Sequence, residues 1–240
     1  MHSQALESSL PHPVVAETLP ALPSAFQSLA TVRSWQRERD IVSQDEVSDR
    51  LYCVIQGAAR QCLIRADGRR QIVDILLPGD FFGLTGGSQR FAVQAIADRT
   101  VVAGIPRRPM ETLMENNPGI AHEVNERILK RMARLQEYLL IVSTMTSIEK
   151  VRAFLAYMAG RLPSGPDGAI VLPLSRYDIA DQLGISAETV SRAISALKSG
   201  GVIHLGGPRQ LQLLDTEHSR ASAGQPWVHG SRDNRIAQWR

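Results

Sequence analysis

The chain has 240 residues, 43% hydrophobic and 21% charged, with a formal net charge of +3. That is apolar content for one large or two modest globular domains, and it excludes disorder throughout. No apolar run reaches the ~20 residues of a membrane span, and the N-terminus lacks a basic-then-apolar leader, so a soluble cytoplasmic protein with no membrane partner is expected. Two cysteines, Cys53 and Cys62, in no metal-ligand spacing, give neither a disulfide framework nor a metal site. They read as small buried hydrophobes, and they are also the candidates for a redox switch. Charge is uneven: residues 1–146 carry 16 basic and 16 acidic side chains, and residues 147–240 carry 11 and 8. The excess lies in the C-terminal part, where an anionic partner is expected.

Residues 1–30 contain Pro11, Pro13, Pro20 and Pro23. They are expected to form a flexible arm ending in a short helix near 25–30. Over 31–117 the pattern is one of short runs punctuated by glycine. Leu51, Cys53 and Ile55 alternate with Tyr52 and Val54, the period of a strand. Asp67-Gly68 signals a hairpin because both residues tolerate positive φ. Gly57, Gly79, Gly83 and Gly104 are expected at the corners of a small antiparallel roll. After Pro118 the period lengthens: Ile128, Met132, Leu135, Leu139 and Val142 recur at steps of four and three, with charged neighbours. This predicts a long helix over 118–146 whose narrow apolar stripe packs on an identical helix in a homodimer. A helix packed only within its own domain is the alternative.

A second domain is expected over 147–215. A helix runs to about Leu162, and PSGPDG then breaks the chain. Ser175 with Asp178 forms a capping signal for a helix that carries Ile179, Ala180 and Leu183 inward, until Gly184 ends it. Ser186 caps the next helix, whose Val190, Ile194 and Leu197 face inward until Gly200-Gly201. Two short helices around a glycine turn make a helix-turn-helix, and VIHLGGPRQLQLLD reads as a β-hairpin wing. Residues 216–240 are expected to be a disordered tail. The predicted class is α+β: an antiparallel β-roll, a long dimerisation helix and a C-terminal winged helix-turn-helix.

In a helix-turn-helix, the first residues of the second helix lie nearest the base edges of the major groove. Glu188, Ser191 and Arg192, at i, i+3 and i+4, share one face there. Arg192 has the planar fork that takes both acceptors of guanine, Glu188 accepts from the exocyclic amine of cytosine or adenine, and Ser191 donates to a base or touches a thymine methyl. Ser186 and Thr189, in the same first turn, complete the candidate DNA-binding set. The bland reading is a solvated face with a Glu188–Arg192 ion pair. The cap, the turn and the wing around the helix argue against it.

Over residues 30–215 these parts, with PGDFFGL in the roll and ETVSR in the second helix, resemble the Crp/Fnr family of transcription regulators. The cyclic-nucleotide-binding-like roll, a homodimer on a palindrome of double-stranded DNA, and contact with RNA polymerase are what that resemblance implies. Glu188, Ser191 and Arg192 match the E-x-x-S-R pattern of Fnr-type and FixK-type readers, which implies a TTGAT…ATCAA-like target with a four-base spacer. Ala187 stands where cyclic-AMP receptors of the family carry a further arginine, which disfavours their operator.

The family's nucleotide pocket uses a Glu after the GDFxG stretch for the ribose and an Arg-Ser pair for the phosphate. Here Leu84 replaces that Glu and Phe91 replaces the Ser, so a ribose hydroxyl would be left unpaired. Arg90 remains and is expected to serve as a surface or interdomain ion-pairing residue. An Fnr-type iron–sulfur cluster needs four thiolates and is excluded by a count of two. His122 is the histidine available to a haem, and a solvated or capping role is expected for it. No cofactor is assigned. Asp45-Glu46 and Asp80 fall in ordinary turns and no catalytic constellation is present, so the chain is not expected to be an enzyme. The resemblance implies a FixK-type activator in low-oxygen respiration or nitrogen-fixation control, without an obligatory small ligand. A regulator whose roll is gated by a cyclic nucleotide, haem or another small effector stays open.

Overall fold

The computed structural model describes residues 12–13, 21–207 and 209–214. The tail expected at 216–240 and most of the arm expected at 1–30 lie outside them. The N-terminal part contains β1 (His12–Pro13), α1 (Ser24–Gln27), β2 (Thr31–Trp35), β3 (Asp40–Val42), β4 (Val47–Ser48), β5 (Arg50–Gln56) and β6 (Ala59–Ile64). It continues through β7 (Arg70–Leu76), β8 (Phe81–Phe82), β9 (Gly87–Ser88), β10 (Ala92–Ala95), β11 (Thr100–Pro106), α2 (Arg107–Asn116) and α3 (Pro118–Thr144). After it come α4 (Ser147–Ala159), β12 (Ile170–Val171), α5 (Arg176–Leu183), α6 (Ala187–Ser199), β13 (Ile203–Leu205) and β14 (Gln210–Leu213).

Two antiparallel sheets form the roll, in the orders β1-β2-β11-β5-β8 and β3-β10-β6-β7, with β4 and β9 as a small ribbon. The period of two along β5 serves two cores. Leu51 and Cys53 face α1, α2 and α3, packing with Phe26, Met110 and Val124. Tyr52 and Val54 face the second sheet, among Val93, Val102 and Phe82. The outer face of the second sheet, with Cys62, Ile72 and Ile75, continues into the core of the C-terminal helices, with Leu155, Ile179 and Leu183. The helical domain is therefore packed on the roll.

Three details differ from expectation. Leu22 and Phe26 are buried, so the end of the arm is part of the core: an aromatic residue lies between the prolines and Ala30, and its burial anchors the segment. The Asp67-Gly68 hairpin has a three-residue loop. Gly68 N–H donates to the Arg65 carbonyl and Arg65 N–H to the Arg69 carbonyl, with Gly68 at φ +78°, a turn followed by a left-handed residue. Gly57, Gly79 and Gly83 do turn with positive φ, but Gly104 does not. It lies within β11 opposite Tyr52, whose ring would meet an added Cβ at 3.4 Å. That is an ordinary contact, so Gly104 is a mid-strand residue and not a corner.

α3 begins where the Asn117 side chain accepts from Ile120 N–H and Pro118 needs no donor. It stops at Met145, whose extended backbone breaks the helix before α4. One face holds Val124, Arg131 and Ile141 against the protomer. The adjoining stripe leaves Met132, Leu135 and Leu139 exposed, Leu139 by 65%, while Ile128 and Val142 are half-buried. Leu129 and Leu140, outside the strict stripe, are exposed beside them, because a 3.6-residue helix drifts across a 3.5-residue repeat. Asp80, at the turn after β7, receives Arg134 of α3 at 2.6 Å on one oxygen and Arg161, just after α4, on the other.

Candidate nucleic-acid interface

The helix-turn-helix is built by local chemistry. Ser175 Oγ accepts from Asp178 N–H, and the Asp178 carboxylate accepts from Ser175 N–H at 2.9 Å, so each satisfies a donor left over at the start of α5. Gly184 ends α5 at φ +65°, a conformation that a β-carbon disfavours. Two residues later Ser186 caps α6, accepting from Thr189 N–H at 3.1 Å and sharing a hydroxyl hydrogen bond with Thr189 at 2.8 Å. Val190, Ala193, Ile194 and Leu197 are buried, which sets the rotation of α6 about its axis. Glu188, Ser191 and Arg192 are then forced outward.

The five sequence-derived residues thus divide in two. Ser186 and Thr189 are committed to the cap, with the hydroxyls turned to each other. Glu188 and Arg192 form an ion pair at 71% and 79% exposure, and Ser191 Oγ donates back to the Ala187 carbonyl at 2.9 Å. Such a pair is worth only about 0.3 kcal/mol on a solvated helix, so it opens readily to a stronger partner. β12, β14 and β13 form the wing sheet beside α6.

Sequence reasoning missed three neighbours of this surface. Arg176 opens α5 and borders a cavity of about 100 Å³ together with Arg209 and Gln210 of the wing. Its Nη1 is buried without a hydrogen-bond partner among the described residues, and burial lowers its pKa from the ordinary arginine value. Tyr177, next in the first turn, is exposed. The available signal was polar residues directly after a cap, where a helix presents free N–H groups to an anion.

Leu84, Phe91 and Arg90 are the positions that the resemblance assigns to a cyclic nucleotide. Leu84 is packed against the apolar cluster of the first sheet. Arg90 is exposed, its guanidinium 5.8 Å from the Phe91 ring centre. Inside, Arg131 of α3 donates to Asp74 at 2.9 Å, to the Phe81 carbonyl at 2.6 Å and to Gln61 at 2.7 Å. His122 is exposed on α3. Both redox candidates are fully buried free thiols. Burial pushes Cys53 up to about 12 and also raises Cys62, so neither offers a thiolate at neutral pH. Among the described residues no cluster of His, Cys, Asp or Glu could hold a metal, and no helix is long and apolar enough to cross a membrane.

Comparison with known proteins covers most of the chain. Residues 149–218 match the family model of the Crp-like helix-turn-helix domain, and residues 32–117 that of the cyclic nucleotide-binding domain. The nitrogen fixation regulation protein FixK of Rhizobium meliloti is 34% identical over 200 residues, 83% of this chain and 90% of that protein. The transcriptional activatory protein AadR of Rhodopseudomonas palustris is 33% identical over 213 residues, 88% of each. The structure of FixK2 from Bradyrhizobium japonicum superposes with a TM-score of 0.72 at 35% identity, covering 80% of this chain and 96% of that one.

Proposed function

Because the chain belongs to the Crp/Fnr family of DNA-binding transcription regulators, we propose that it is a FixK-like activator that reads a TTGAT…ATCAA-like palindrome as a homodimer and recruits RNA polymerase. It acts in the cytoplasm, in the control of low-oxygen respiration or nitrogen fixation, and without an obligatory small ligand. It is a transcription regulator and not an enzyme. The observation that carries the reading is the outward face of α6, where Glu188, Ser191 and Arg192 stand clear of the protein at the helix end that faces base edges. Arg192 leaves Glu188 to take the two acceptors of a guanine, and the freed carboxylate accepts from a neighbouring base amine. Arg176, Tyr177 and Arg209 are assigned to the flanking phosphates.

The exposed Met132, Leu135 and Leu139 of α3 supply the self-complementary surface of a twofold dimer. Ligand independence is supported by Leu84 and Phe91 standing in the family's ribose and phosphate positions, and by Arg131 being fully engaged within the roll. The test is binding of purified protein, in air and without effector, to the palindrome and to a scrambled duplex across a salt series. Specific binding with a dimer in light scattering upholds the reading. Specific binding that appears only with cyclic nucleotide, haem or reductant overturns ligand independence and establishes the effector-gated alternative.

A further inference from the structure

The helix that precedes the recognition helix is gripped by the roll through charge. The Asp178 carboxylate, 3% exposed, accepts from Arg60 of β6 at 2.8 Å and from Arg70 of β7 at 3.1 Å on the oxygen that its cap does not use. Arg60, also 3% exposed, is itself held by Gln94 at 2.9 Å and by Glu38. One turn on, Asp181 receives Arg70 at 2.8 Å, and its carbonyl accepts from the Gln71 amide. The next carbonyl, of Gln182, accepts from the Tyr138 hydroxyl of α3. Two strands, β6 and β7, and the long helix therefore converge on residues 178–182. The surrounding apolar core, in which Ile179 and Leu183 pack with Ile72 and Ile75, has no such directionality. Greasy contacts tolerate a small rotation, whereas a buried guanidinium shared among Asp178, Glu38 and Gln94 is directional and loses a desolvated partner if Asp178 shifts.

α6 follows α5 after residues 184–186 and shares its core, so whatever fixes α5 fixes α6 relative to the roll. In a twofold dimer, the separation of the two recognition helices sets the spacing between half-sites. We propose that Arg60, Arg70 and Asp178 are positioning residues for operator spacing: they hold α6 at one angle to the roll and so restrict the dimer to one distance between half-sites. The proposal rests on the DNA-reading function above. It assigns spacing selectivity to residues that touch no base.

The experiment uses the full-length protein and duplexes with identical half-sites whose spacers are one or two base pairs shorter or longer than the preferred one. The wild type is expected to lose roughly tenfold or more in affinity at each shifted spacer. Arg60→Met and, separately, Arg70→Gln, with Tyr138→Phe combined into the latter, are expected to flatten that preference to within about threefold. Arg60→Lys is expected to restore part of it. Thermal melting and light scattering establish that each variant is folded and dimeric. The half-exposed Arg70 pair serves as the test if Arg60→Met does not fold. A merely structural role would weaken binding equally at every spacer. Folded, dimeric variants that keep the wild-type preference overturn the clamp and leave the DNA-reading function standing. A wild type that binds no palindrome overturns the function first.

Discussion

Two arginine–carboxylate pairs flank one helix-turn-helix and behave as opposites. Arg192–Glu188 lies within a single helix, four residues apart and mostly in water. Arg60–Asp178 joins two domains across 118 residues of sequence and is nearly sealed. The first is weak because water competes for both partners, and that weakness suits the exchange of partner proposed for it. The second has lost its water, so its partners hold each other or stand uncompensated. The lesson is that a pair's setting, more than its chemistry, decides whether it can exchange partners or fixes architecture.

The comparison breaks most visibly at Asp178. Asp178→Ala takes the buried carboxylate from Arg60 and Arg70, leaving them Glu38 and Asp181, and removes the carboxylate half of the α5 capping box; it is expected to cost about 3 kcal/mol in urea unfolding. Arg192→Ala is expected to move stability by less than about 0.5 kcal/mol. It should nevertheless weaken binding to the palindrome by ~1–3 kcal/mol, with the salt-dependent binding to random DNA nearly intact. Equal loss on both duplexes would remove Arg192 from base reading.

Acid sharpens the contrast. Burial pushes the Asp178 carboxyl up, but the Ser175 donors and the Arg60 and Arg70 guanidiniums outweigh it and hold the pKa below the ordinary carboxylate value. Between the folded and unfolded values the unfolded chain binds more protons, so this stabilisation is present above about pH 4 and fades as pH falls through the folded value. The gap in melting temperature between wild type and Asp178→Ala should narrow in that window, and a gap unchanged down to acid unfolding would contradict the assignment. The smallest effect is expected of Glu188→Ala. It removes a pair worth about 0.3 kcal/mol and should relax base preference in a binding-site selection with little change in affinity.

The same contrast marks what could be read from the amino-acid order. Ser175, Asp178, Gly184 and Ser186 act on backbone within one or two turns of themselves, so the caps, the turn and the outward face of α6 were legible. Asp178 was legible only as a cap. Its other oxygen meets Arg60 from a strand far away in sequence, and no periodicity announces such a meeting. Arg60 did leave a trace, a charge among Ala58, Ala59 and Cys62 in a strand buried on both faces. Phe26 was hidden beside prolines, and Gly104 was taken for a corner although it pairs mid-strand with Tyr52.

Asp80 lies across the break at Met145, with one oxygen on an arginine of the helix before it and the other on an arginine just beyond the helix after it. A single carboxylate thus serves both sides of the elbow, a second tie beside the contacts on α5. Its loss would leave an arginine on each side of the break without the partner they share.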